Sequence, residues 1–182
     1  MNQFLKIVTA ALCYLAAVFT SSTFAQTLNG SFVQAKTFAG FSQPFISKGT
    51  FSIDKQQLVW HTLSPIDTKL RIDPTGVYER NKDGEYTLQT QTGSYGSLLQ
   101  ALLLQDSHKL ESYFSIELLH EFPHFKDANG RCVKLLPSTS ELQNMFTHFV
   151  SCSVDEQVRF VGLYEVSNAV TEINLTVDSS LP

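Results

Sequence analysis

The chain has 182 residues, 43% of them hydrophobic, with 13 Lys and Arg against 17 Asp and Glu. That length suits one domain around a single core. The formal net charge is −4 and no basic cluster stands out, which excludes nucleic acid and anionic lipid surfaces as natural partners, since both demand concentrated Lys and Arg.

The chain opens on an export signal. Lys6 supplies a positive charge, Ile7 to Phe19 is an apolar run without a charge, and Thr23 and Ala25 place small residues at the two positions a signal peptidase reads. About 13 apolar residues fall short of the roughly 20 needed to cross a bilayer, so cleavage after Ala25 is expected rather than anchoring. Residues 1–25 are then the signal and 26–182 one periplasmic domain, expected to be monomeric. The signal carries one cation and no anion, so the processed chain has a net charge of 12 − 17 = −5. Cys13 leaves with the signal. Cys132 and Cys152 remain, an even pair in an exported protein, and are expected to form one disulfide.

Alternation of period two predicts strands at 31–37, 44–54, 57–63, 68–73, 76–80 and 85–89. Asp73-Pro74-Thr75-Gly76 and Lys82-Asp83-Gly84 supply turns between them. The period then changes. Over 94–105 the apolar positions Tyr95, Leu98, Leu99, Leu102 and Leu103 follow a three-four spacing and predict one helix with a wide apolar face. Strands resume at 113–122, 131–136, 145–154, 157–167 and 170–177, with Asp127-Ala128-Asn129-Gly130 as a turn. About eleven strands with short connections favour antiparallel neighbours and exclude a doubly wound α/β fold.

Bulky residues fall on one face of these strands: Phe51 and Ile53, Leu58 and Trp60, Leu70 and Ile72, then Phe114, Ile116 and Leu118. The same reading continues through Phe146, Val150 and Val154, then Val158, Phe160 and Tyr164, and ends with Ile173, Leu175 and Val177. They serve either a filled core or a sheet too wide to fill, whose hollow the helix covers.

Catalytic motifs are thin. His120-Glu121-Phe122-Pro123-His124 matches the H-E-x-x-H zinc string, but that chemistry needs a helix and Pro123 opposes one. Gly93-Ser94-Tyr95-Gly96 suggests a serine turn, which helix capping by Ser94 explains. No catalytic residue, metal or cofactor is expected.

The string Gly30-Ser31-Phe32-Val33-Gln34-Ala35-Lys36 resembles the G-x-F-x-Q-x-K opening of LolA-like outer-membrane lipoprotein carrier proteins. Phe38-Ala39-Gly40-Phe41, Ser47-Lys48-Gly49-Thr50-Phe51, the Trp60 strand and Thr62-Leu63-Ser64-Pro65 follow in an order similar to the family's first half. Leu135-Leu136-Pro137, Phe146 to Val150 and Leu163-Tyr164-Glu165 resemble its end. The resemblance implies a mainly β fold: an unclosed antiparallel β-barrel with a short helical lid over a hydrophobic cavity. It implies a carrier that takes the acyl part of a lipoprotein, or another lipid, from an inner-membrane donor complex toward an outer-membrane acceptor; a lipid-sensing module without transport is the alternative. Phe51, Trp60, Leu70, Ile72, Phe114, Ile116, Phe146 and Phe160 are the candidate cavity residues, and Tyr95, Leu98, Leu99 and Leu102 the candidate lid. The chain departs from the family where a basic turn, whose arginine latches the lid, precedes the Trp strand: here the stretch reads Asp54-Lys55-Gln56-Gln57.

Overall fold

The computed structural model describes residues 27–178, except 55–56 and 91–94. The first half holds β1 (Leu28–Thr37), β2 (Phe45–Ile53), β3 (Leu58–Ser64), β4 (Thr68–Asp73), β5 (Gly76–Arg80) and β6 (Tyr86–Thr90). Two helices follow, α1 (Tyr95–Leu104) and α2 (Ser107–Tyr113), and then β7 (Phe114–Leu119) and β8 (Arg131–Pro137). A short α3 (Ser140–Gln143) leads into β9 (Phe146–Val154), β10 (Gln157–Glu165) and β11 (Val170–Val177). The signal at 1–25, the Ser94 cap and Lys55 lie outside the described residues.

All eleven strands join one antiparallel sheet in the order β6-β5-β4-β3-β2-β1-β11-β10-β9-β8-β7. The sheet is not closed into a barrel, as expected, and its edges β6 and β7 are joined in sequence by the helices. Turn chemistry sets the meander. Gly84 takes φ +88°, a conformation glycine adopts without a Cβ clash, and its N–H donates to Asn81 O at 3.1 Å. At 127–130 the Asp127 carboxylate accepts from Asn129 N at 2.9 Å, and Gly130 N donates to Asp127 O at 3.0 Å.

Helix α1 packs against both β4 and β10. Those strands stand five steps apart in the sheet, roughly 24 Å if it were flat, whereas a helix is only about 10–12 Å across. The sheet therefore curls around the helix. Its inner face carries two apolar clusters, one on each side of α1. Leu103 and Leu99 meet Phe51, Ile53, Leu58, Trp60 and Ile72 on one side. Leu98, Ala101 and Leu102 meet Leu110, Phe114, Leu135 and Phe149 on the other. A helix apolar on both flanks is a buried helix.

The first-half cluster is filled. Trp60 stacks on Phe32 of β1 with ring centroids 3.9 Å apart, and Phe51, its register partner on β2, lies at 6.1 Å. Gly49 makes room for this stack, because a Cβ there would come within 2.8 Å of the Phe32 ring. Phe160 departs from expectation. It lies on the outer face with Cys132, Val150 and Cys152, and Tyr164 packs against the same group. The reason is a break in alternation: β9 and β10 shift register between Val158 and Phe160 and again between Tyr164 and Glu165. A bulge adds a residue to one strand and so changes which side chains share a face. Val158 and Phe146 stay inside, whereas Phe160, Val150 and Tyr164 do not.

Cys132 and Cys152 are direct partners on β8 and β9 and form the expected disulfide, with Cα atoms 4.1 Å apart. It sits beneath a loop, 120–130, whose Phe122 and Phe125 rest on Phe160 with ring centroids at 5.4 and 6.4 Å.

Candidate functional site

Below the α1–α2 corner the inner face is not filled. A cleft of about 940 Å³ opens there. Its floor is the inward side of three strands: Ile116 and Leu118 from β7, Arg131, Val133 and Leu135 from β8, and Ser151 and Ser153 from β9. Leu102, Leu104 and Leu110 roof it, and the Asp155-Glu156 turn closes one end. Leu102, Leu110 and Leu135 are buried, whereas Ile116 and Leu118 are 39% and 61% exposed at the rim. The cleft thus has an apolar depth and a polar end, a lining that suits an amphiphile better than a plain hydrocarbon.

The roof is a tight corner built by local capping. Gln105 adopts φ 51°; its N–H donates to Leu102 O at 3.3 Å, and Asp106 N donates to Ala101 O at 2.9 Å. This closes α1 as a Schellman motif with Gln where Gly is usual. Asp106 then caps α2, its carboxylate accepting from Lys109 N at 3.2 Å. The positive φ costs backbone energy at Gln105, and the side chain offsets part of it by donating to Glu156 O at 3.1 Å. That bond ties the corner to the end wall of the cleft.

A second tie holds the middle of α1. Gln100 is 4% exposed, and its Nε2 donates to the Asp54 carbonyl oxygen at 2.7 Å. Asp54 follows β2 directly, so the bond ties the helix to the start of the β2–β3 turn. The apolar-periodicity reading passed over Gln100. The available signal was a lone amide among leucines at 98–104, which must find a partner when buried.

The candidate cavity residues divide accordingly. Ile116 lines the cleft directly. Phe114 and Phe146 lie beside it in the cluster that includes Leu102 and Leu135. Phe51, Trp60, Ile72 and the half-buried Leu70 belong to the filled cluster across α1. Phe160 is on the other face. Of the candidate lid residues, Leu102 roofs the cleft, Leu98 packs beside it and Leu99 turns toward the filled cluster, while Tyr95 opens the helix. Leu118, expected on the inward face, lines the cleft as well, and Leu104, Leu110, Val133 and Leu135 line it without having been expected to.

The H-E-x-x-H string forms no helix. His124 Nδ1 pairs with Glu172 Oε1 at 2.8 Å, and its ring stacks on Phe122 with centroids 5.3 Å apart. Among the described residues no group of three or more His, Cys, Asp or Glu stands ready for a metal, and no helix is long and apolar enough to cross a membrane.

A sequence model described as outer membrane lipoprotein carrier protein LolA matches residues 23–176, which takes in all but the last residue of the sheet. No curated protein matches the chain. Among solved structures the chain is similar to the LolA superfamily protein NE2245 from Nitrosomonas europaea, at 5% identity over 87% of this chain and 88% of that one, with a TM-score of 0.42. It is also similar to the Pseudomonas aeruginosa MucA/MucB complex structure, at 11% identity over 87% of this chain and 54% of that one, with a TM-score of 0.45. The chain belongs to the outer membrane lipoprotein carrier protein LolA family.

Proposed function

We propose that the protein is a periplasmic carrier that holds the acyl part of a lipoprotein, or of another amphiphilic lipid, while it moves from an inner-membrane donor toward an outer-membrane acceptor. The observation that carries this reading is the cleft of about 940 Å³ beneath the α1–α2 corner. That volume falls within the roughly 300–1,000 Å³ usual for small-molecule sites. An acyl chain entering it gains about 0.8 kcal/mol per CH₂ buried, so binding needs no reactive group. Family membership supports a binding and carrying role rather than catalysis. The apolar run from Ile7 to Phe19, with small residues at Thr23 and Ala25, supports export.

Arg131, Ser153, Asp155 and Glu156 at the polar end of the cleft favour a client whose polar head rests there. Mass spectrometry of lipid co-purifying with the exported protein tests the reading. A stoichiometric amphiphile that is lost in an Ile116→Glu/Leu118→Glu variant supports it. Empty protein from cells and from detergent-lipid reconstitution alike would sink it. Transfer from donor to acceptor vesicles then separates a carrier from a lipid-sensing module, which binds but does not deliver.

A further inference from the structure

Large apolar side chains gather at the end of the sheet opposite the cleft. The β1–β2 hairpin tip exposes Phe38, Phe41 and Phe45, the last two at 61% and 58%, and Ile46 beside them. The three rings pack edge to face, with centroids 5.6 to 6.3 Å apart, so the tip is a preformed aromatic cluster. The surface continues on both sides. Thr37 pairs with Val170, which places the exposed Val166 turn next to the tip. Lys48 pairs with Ser64, which places the β3–β4 turn, with Leu63 and the 72% exposed Ile66, on the other flank.

We propose that this end of the sheet is a docking surface for the interfacial region of a lipid bilayer, entered by the β1–β2 tip. From Thr37 to Ser47 the hairpin carries no charge, and Lys36 and Lys48 bracket it where headgroup phosphates would lie. Lys36 Nζ stands 5.0 Å over the Phe38 ring and 2.9 Å from Glu165, and Asp67 and Glu165 are the acidic groups of the two flanking turns. The balance of charge is even. Insertion is therefore driven by the aromatic and aliphatic tips, not by an anionic surface, and three neighbouring turns presenting apolar tips at one end fit a flat partner. Docking this way leaves the cleft at the far end free, so the surface is separable from the client site.

The test uses protein recovered after export, its N-terminus read by mass spectrometry so that the run from Ile7 to Phe19 does not contribute. Co-sedimentation with phosphatidylcholine vesicles should show association that persists in 0.5 M salt, a concentration at which the Debye length is only about 4 Å. Phe41→Ser/Phe45→Ser should weaken partitioning at least about tenfold, while lipid bound in the cleft and the thermal midpoint stay unchanged. Two outcomes overturn the proposal: equal partitioning of the variant and the parent, or no vesicle association together with a concentration-dependent dimer that the variant abolishes. The second would assign the patch to another copy of this chain.

Discussion

Replacing Gln100 with Met removes the amide that ties α1 to the β2–β3 turn while nearly preserving side-chain length and packing. The bond spans 2.7 Å from a residue that is 4% exposed, so it has little competition from water. A neutral hydrogen bond of this kind contributes about 1 kcal/mol net, which corresponds to a roughly five-fold shift in an equilibrium. If the bond holds the helix in place, that shift falls on local opening of α1 and not on unfolding of the sheet. Native-state hydrogen exchange should then run about five-fold faster at the amides of 101–104, with the amides of Val161 and Ile173 in the sheet unchanged. Trp60, the only tryptophan, reports global unfolding by its fluorescence from the filled cluster. Exchange in α1 that stays at the parent rate, or rises only in step with a loss of global stability at Trp60, would refute the latch.

Other consequences are equally direct. Ile116→Glu/Leu118→Glu should abolish retention of a fatty-acid probe while shifting the urea midpoint little, because both side chains sit exposed at the rim. Cys132→Ser/Cys152→Ser opens a link across 20 residues and should cost about 3 kcal/mol by the chain-entropy argument, read as urea stability and matched by the parent under reductant. His148 is held below the usual histidine range, first by burial against Tyr164, whose ring centroid lies 4.2 Å away, and then by Lys134. A depressed folded-state value means that its stability contribution is full above about pH 6.5 and declines as pH falls toward the folded value. Urea stability should thus drop between pH 7.5 and 5.5, and His148→Phe should flatten that drop.

Much of the fold was legible because alternation is dense and its punctuation strong. All eleven strands were readable, most to within a residue or two, since most of the connections between them carry Gly, Pro, Asn or Asp. What failed has identifiable physical causes. The bulges in β9 and β10 change side-chain parity without leaving a residue type that announces them, so Phe160 was assigned to the wrong face. Helix α2 carries only Leu110 as a fully buried apolar residue over seven positions, too short a pattern to betray a period. The cleft was legible only as a possibility. Periodicity says which side chains face inward, but whether they meet one another depends on the curvature of the sheet, which pairing sets.

That curvature also explains why the cleft opens beside the cluster on one side of α1 and not beside the other. Strands β1 to β4 bring Phe32, Phe51, Trp60 and Ile72 inward, into one cluster with Leu103 and with Leu99 packed against it. Where the cleft opens, β8 and β9 present Val133, Ser151 and Ser153, smaller than the rings across α1, and the polar Arg131. The cleft borders β7, a sheet edge with no further strand to hold it. Widening the cleft for a client requires only that α2 and the Leu98–Leu102 flank of α1 part from β7 to β9. It leaves the Trp60 stack, Leu103 and the Gln100 bond in place. The bulk on one flank therefore fixes the helix, and the lack of bulk on the other gives a client its room. Enlarging Ser151 or Ser153 should close the cleft without disturbing the sheet.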